Sequence, residues 1–476
     1  MPRTALIGTL ALVLLSTTPG FGQQPSPPAA PVLPAEVQAL REELARLQRE
    51  AEERQKQQEE RIRALERQVQ ALQKRAPAPI SPGPSEPGPV TVRPGFKARL
   101  YGFARADVDV DSRRMFAGPH LPFWVLSPQD PRAANRTDGD FSIHPRLTRL
   151  GLDTEAPPVG ILGDAKLTGK LEIDFFNILP DRNSATSNSR AFVRMRHGYG
   201  RLDWQRAHFL FGQTWDLISP LFPMANDDVV MWTAGNLGDR RPQLRFVWEP
   251  TAGKGKASLG VMVGSPGAVD SQDLDADQVV DGEESRRPTL QARVALNQPS
   301  WVAGQTWEAG LWGHSGQFRI DRNKAVSGHR SFNSQALGID LRLPLTKKLL
   351  LQGEGWFGKA LADVRGGVGQ NINTITGEEV HSHGGWAELL YQFNEIYTLG
   401  GGFTIDDPKN EDVTPFTGAN QTAVGRTLNR SYYVVNRLNL GSGLTVGIDW
   451  MLFHTQFRGL DPGTNNRWNI WLRHAF

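Results

Sequence analysis

Strict alternation of residue character governs the chain from residue 96 onward. In "RLYGFARADVDVD", Leu100, Gly102, Ala104, Ala106, Val108 and Val110 fall on one side of an extended backbone and Tyr101, Phe103, Arg105, Asp107 and Asp109 on the other. "DAKLTGKLEIDF" repeats the pattern, with Leu167, Leu171, Ile173 and Phe175 opposite Lys166, Lys170, Glu172 and Asp174. Sixteen such segments begin near residues 97, 142, 164, 192, 206, 243, 258, 289, 306, 334, 349, 383, 396, 431, 444 and 466. Short connections such as "DWQRA", "PLTKK", "FNE" and "GSG" follow even-numbered segments. Long polar ones, at 112–140, 216–241, 264–287, 316–333, 358–382 and 405–429, follow odd-numbered segments. Hairpins with tight turns at one end and long loops at the other predict an all-β fold, a 16-stranded antiparallel transmembrane β-barrel.

A β-propeller also repeats short strands at regular spacing, so repetition alone does not separate the two. Three features favour the barrel. The chain carries an export signal, aromatics gather near segment ends (Tyr199, Trp204, Trp215, Trp248, Tyr391, Phe393, Trp450 and Phe453), and the last segment, "NNRWNIWLRHAF", alternates up to Phe476. A final strand that pairs with the first leaves no open edge. Phe476, a terminal aromatic in an alternating strand, also resembles the assembly signal of bacterial outer-membrane proteins, which implies the barrel-assembly machinery as a partner; His474 stands where an aromatic or aliphatic residue is usual.

The N-terminal part reads differently. "MPRTALIGTLALVLLSTTPGFG" has a basic residue, an apolar run from Ala5 to Leu15 and small residues at Gly20 and Gly22, which predicts a signal peptide over 1–22. The run is well short of the roughly 20 residues a spanning helix needs. A Pro-rich segment follows at 23–35. Over 36–75, Val37, Leu40, Leu44, Leu47 and Ala51, then Ile62, Leu65, Val69 and Leu72, form heptad-like seams with a stutter between them, predicting a periplasmic α-helical coiled coil. Residues 76–95 form a Pro-rich linker, and 96–476 the barrel. The absence of cysteine excludes disulfides and thiolate chemistry, and a net charge of +3 is too small to indicate nucleic-acid binding.

"YGFARADVDVD", "RLTRLGLDTEA", "GKLEIDFF", "FVRMRHGYGRL", "FLFGQTWDLISP" and "RRPQLRF", in that order, resemble the DcaP-like outer-membrane porins, to which phosphate-selective porins are similar. The run from "RMRHGYG" through "FGQTW" is the most specific part. The resemblance implies a homotrimer in the outer-membrane lipid, each barrel a diffusion channel for small anionic solutes, with no cofactor.

Residue types then suggest where the pore chemistry sits. With Val193, Met195, His197 and Tyr199 outward, Arg190, Arg194 and Arg196 face the lumen, joined by Lys166, Lys170 and Arg245, with Arg240 and Arg241 on the approach. Such a ladder of fixed positive charge concentrates anions. The competing reading pairs these groups with Glu172, Asp174, Asp227 and Asp228. Arg146 and Arg149 both face inward only if a bulge intervenes. The loop "DLISPLFPMANDDVVMWTAGNLGDRRP" is too apolar for an exposed loop, so it is expected to fold inward and set a constriction with Asp227, Asp228, Met231 and Trp232. Asp273, Asp275, Asp277 and Asp281 could ligate calcium and His381 with His383 a transition metal, but solvated loop charge accounts for both. No hydrolase elbow, zinc-protease pair or phosphate-binding loop occurs, so the chain is read as no enzyme. A second function class remains: an envelope tether in which the coiled coil contacts peptidoglycan or periplasmic proteins and the barrel only anchors it.

Overall fold

The computed structural model describes Arg46, Glu53, Glu60 and residues 90–476, apart from 117–121, 134–138, 178–191, 226–228, 267–280 and 321–325. The chain divides into two units, Met1–Pro77 and Ala78–Phe476. Of the expected signal peptide, coiled coil and linker, only Arg46, Glu53 and Glu60, each helical, and residues 90–95 lie within the described residues.

The second unit is one closed antiparallel sheet. Its wall strands are β1 (Phe96–Asp111), β2 (Asp140–His144 continued by Arg149–Glu155), β3 (Lys166–Asn177), β4 (Phe192–Asp203), β5 (Ala207–Trp215), β6 (Arg240–Trp248), β7 (Gly255–Gly264) and β8 (Thr289–Pro299). The circuit continues through β9 (Thr306–Arg319), β10 (Ser331–Pro344), β11 (Leu349–Lys359), β12 (His381–Gln392), β13 (Tyr397–Pro408), β14 (Arg426–Gly441), β15 (Leu444–Phe457) and β16 (Gly463–Ala475). Sequential neighbours pair throughout, and β16 closes on β1, with Trp468 opposite Val110, Leu472 opposite Ala106 and His474 opposite Ala104. The last residue completes the seam: Phe476 donates its N–H to Gly102 at 3.0 Å and accepts from the Gly102 N–H at 3.1 Å. Two short pieces, Val90–Arg93 and Thr251–Ala252, extend neighbouring strands.

Turn chemistry matches the asymmetry of the connections. Between β14 and β15 the two turn residues, Ser442 at φ 49° and Gly443 at φ 81°, both take the left-handed conformation that suits the twist of a two-residue hairpin. Aromatics at this end form a girdle of Trp204, Trp248, Trp301, Tyr391 and Phe393, all exposed. Tyr199, Trp215 and Phe453, expected among the aromatics of the two interfaces, face the interior instead.

The wall is inside out relative to a soluble protein. Leu100 is 61% exposed, and Val193, Val261, Leu311 and Ile339 belong to the same apolar outer surface. Asp109 and Arg467 are 0% exposed, and Asp111, Asp174, Asn429 and Asp449 are buried with them on the inner one. A sheet that hides carboxylates and displays leucine is stable only where hydrocarbon covers the outside and closure pairs every edge.

Among the described residues, three connections furnish the interior: residues 112–116 with 122–133, residues 216–225 with 229–239, and residues 360–380 fold into the barrel and pack together against β9–β15. Met115 and Val125 of the first and Ala225, Met231 and Ala234 of the second share a buried cluster with Tyr433, Val435, Met451 and Phe453 of the wall. Ile218 and Leu237 of the second and Leu361 and Val364 of the third bury Trp312, Ala336 and Trp356. Backbone bonds link the loops directly: Thr233 N–H to the Arg365 carbonyl at 2.8 Å and Gly238 N–H to the Val364 carbonyl at 2.9 Å.

Candidate functional site

The site is a charged stretch of inner wall on β1–β4 and β6, facing what the folded-in loops leave open. Alternation delivers Lys97 and Arg99 from β1, Asp153 and Glu155 from β2, and Lys166, Lys170, Glu172 and Asp174 from β3. In β2 the break between His144 and Arg149 turns both Arg146, buried, and Arg149 inward, meeting the condition that sequence reasoning set for both to face the interior.

On β4 a bulge changes the expected rows. Glu172 is opposite His197 while Ile173 is opposite Met195, so Arg196 is the extra residue. Val193 and Met195 face outward as expected. Past the bulge the parity inverts: His197 bonds Thr214 at 2.9 Å inside the barrel, and Tyr199 follows it inward. The expected outward placement of His197 and Tyr199 is thereby corrected, and Gly198, Gly200 and Leu202 take the outer row. Arg194 and Arg196 both remain inward.

Four carboxylates on this wall each serve two cations. Glu155 lies 3.7 Å from Lys97 and 3.3 Å from Lys166. Asp153 lies 2.6 Å from Arg99 and 2.6 Å from Lys170, which also donates to the Tyr101 hydroxyl at 2.7 Å. Glu172 takes Arg149 at 3.4 Å and Arg196 at 2.8 Å, and Asp174 takes Arg194 at 2.7 Å and Arg196 at 2.8 Å. Seven cations thus share four carboxylates. Arg240 and Arg245 add to the excess. Arg240 is buried against the ring of Trp215, 4.5 Å from its centroid; among the described residues its only ion pair is Asp239 at 4.0 Å and its Nη1 has no hydrogen-bond partner. Arg245 donates to the Gln243 side chain at 2.9 Å and to the Trp215 carbonyl.

Arg241 behaves otherwise. It is buried between Asp216 at 2.6 Å and Asp363 at 3.6 Å and donates to the Ser265 carbonyl, so it locks loops together rather than lining water. Burial pushes the Asp363 carboxyl above the usual carboxylate range, an effect that Arg241 opposes. Arg190, Asp227 and Asp228 lie outside the described residues, as do Asp273, Asp275 and Asp277. Asp281 is buried in a short helical turn. His381 pairs with Asp412 at 2.8 Å and His383 with Asp407 at 3.6 Å, and no metal-binding group of three such side chains occurs among the described residues.

The loop 216–239 crosses the lumen on wall tethers. Leu217 N–H donates to Gln291 of β8 at 2.8 Å, Leu221 N–H to Glu354 of β11 at 2.7 Å, and Met224 N–H to Glu388 of β12 at 3.0 Å; Ser219 donates to Glu354 and Arg437 of β14 to the Met224 carbonyl. Its path is tight: Val230 and Met231 adopt φ 44° and 59°, a strained conformation for such side chains, and a Cβ at Gly235 would sit 2.3 Å from the Gly385 carbonyl oxygen. Met231 and Trp232 are buried, so they anchor the loop by packing and do not face the opening. Sequence reasoning missed Lys97 and Arg99, although both lie on the polar row of a strand it had drawn correctly.

No family model and no curated protein matches the chain. Solved structures do. The outer membrane channel DcaP of Acinetobacter baumannii is similar with a TM-score of 0.61 at 15% identity, over 81% of this chain and 99% of that one. The anion-selective porin from Comamonas acidovorans is similar with a TM-score of 0.48 at 12% identity, over 80% and 100% of the two chains. The likeness to DcaP is one of fold, and it agrees with the resemblance carried by the sequence motifs.

Proposed function

We propose that the protein is an outer-membrane porin, a water-filled diffusion channel for small hydrophilic anions carrying carboxylate or phosphate groups. The observation that supports this most directly is the charge count on the inner wall of β1–β4 and β6. Lys97, Arg99, Arg105, Arg146, Arg149, Lys166, Lys170, Arg194, Arg196, Arg201, Arg240, Arg241 and Arg245 outnumber Asp107, Asp109, Asp111, Asp140, Asp153, Glu155, Glu172, Asp174 and Asp203 by four. Fixed cations in excess raise the local anion concentration, and guanidinium groups offer paired donors to a passing oxyanion.

No chemistry is required of the wall. A solute exchanges part of its water shell for the N–H donors of successive Lys and Arg side chains, which outnumber the carboxylates beside them. The folded-in loops narrow the passage and keep the solute near this wall. In this reading the barrels form a homotrimer, the short turns and the N-terminal segments face the periplasm, and the coiled coil reaches toward the cell wall.

Purified protein in a planar bilayer under a salt gradient provides the test. The reversal potential is expected to favour the anion. Equal permeability of both ions would remove the anion-selective reading, and absence of any current would remove the porin itself.

A further inference from the structure

A cavity of about 530 Å³ lies among the three folded-in connections and the start of β14, with Phe116, Trp124, Arg132, Asp363, Arg365 and Arg426 among its lining. We infer that it is an outer anion-binding site, distinct from the basic wall, in which Arg426 supplies the charge for a small carboxylate or phosphate and the rings beside it hold that guanidinium in place.

A four-layer stack carries the inference. The Arg132 guanidinium lies 5.2 Å from the centroid of Phe116, Phe116 stacks on Trp124 at 4.0 Å with 7° between the planes, and the Arg426 guanidinium lies 4.3 Å from the Trp124 ring. Cations at both ends of a π stack are held by the ring faces without being neutralised by them. Asp281 adds a buried carboxylate to the lining, and the other charges around the cavity apart from Arg426 sort into pairs. Arg132 lies 2.6 Å from Asp130, Arg365 lies 2.6 Å from Asp239, and Asp363 faces Arg241. Arg426 is different. It donates to the carbonyls of Val368 at 2.8 Å and Gly369 at 3.5 Å, and no carboxylate among the described residues ion-pairs with it. Backbone acceptors orient a guanidinium and leave its charge in place. The neighbouring Asp406 is occupied by Val368 N–H and the Ser382 hydroxyl.

The stack also dictates what the site selects. The two rings stack on each other and each has a guanidinium against it, so an incoming solute meets chiefly ring edges and N–H groups. The site reads charge and size, and a flat aromatic body gains nothing over an aliphatic one.

Single-channel recording with inorganic phosphate added on the loop side tests this, and for its current readout it rests on the porin reading. Wild type is expected to show a phosphate-dependent block that R426Q weakens by about tenfold, the factor that ~1.4 kcal/mol represents, and that R426K largely keeps. Benzoate and hexanoate are expected to block alike. An unchanged block in R426Q would overturn the assignment, and a much stronger block by benzoate would overturn its account of selectivity. A second readout does not need an open pore: iodide quenching of Trp124 in detergent, taken as the difference between wild type and W124F, should fall in R426Q and on addition of phosphate. Loss of current with that quenching intact would fail the porin and keep the site; current with no phosphate-sensitive quenching or block would do the reverse.

Discussion

Arg240 is the residue whose replacement isolates selectivity from structure. It pairs weakly, at 4.0 Å from Asp239, so Arg240→Gln removes a charge without stranding a carboxylate. A unit charge at roughly 8 Å in water is worth about 0.5 kcal/mol, so the anion-to-cation permeability ratio should fall about twofold, read from the reversal potential. Arg194→Glu with Arg196→Glu should act differently. Both wild-type guanidiniums hold Asp174, and reversal sets new carboxylates beside Glu172 and Asp174 on a buried wall. The expected result is a lower temperature of heat-induced unfolding in detergent along with the change of ion preference; a selectivity change with unaltered thermal stability would show that the pairs do not hold the wall. These pairings were half legible in the sequence. Alternation placed the arginines and their acids on one row, but a row gives no distances, so neither the sharing of each acid by two cations nor the isolation of Arg240 could be read from it.

At the scale of elements, the tethers of the loop 216–239 carry the aperture. Glu388 accepts from Met224 N–H, from Gln352 at 2.6 Å and from the Tyr433 hydroxyl at 2.9 Å. Glu388→Ala should free this arm, giving larger and noisier single-channel currents; unchanged current would mean that the remaining tethers suffice. Met231 is fully buried among residues of two loops and the wall, and Met231→Ala should lower stability by about 2–5 kcal/mol, measured by denaturant titration of the folded fraction. The strands were the most legible elements, since period-two alternation with polar breaks is a direct record of wall and water. Two features escaped it. The bulge at Arg196 adds a residue without any sequence mark, and it reassigns His197 and Tyr199. In "WMLF" of β15 both rows are apolar, because Met451 and Phe453 seat a loop on the inside while Leu452 faces outward, and composition alone cannot tell loop from lipid.

For the whole molecule, the exposed Leu, Val and Ile of the outer surface and the buried Asp and Arg of the inner one form a single arrangement. The protein is expected to remain dispersed only in detergent or lipid and to run as a heat-modifiable species on gels. A monodisperse, folded sample in plain buffer would contradict the facing of every strand. Light scattering in detergent should give three copies per particle. Closure was legible in outline, from an even number of strands and a last one without an obvious end, whereas the packing of three loops inside the cylinder was legible for only one of them. The seats of that loop lie far along the chain: Ser219 reaches a residue 135 positions away and Met224 one 164 positions away. Joining such distant points is entropically slow compared with zipping adjacent hairpins. The seam joins points farther apart still, Phe476 to Gly102, so closure and furnishing are both long-range events. A copy whose seam shut before its loops were seated would be a wide, unselective hole in the envelope, so the speed of that last step would set how much leaks during biogenesis.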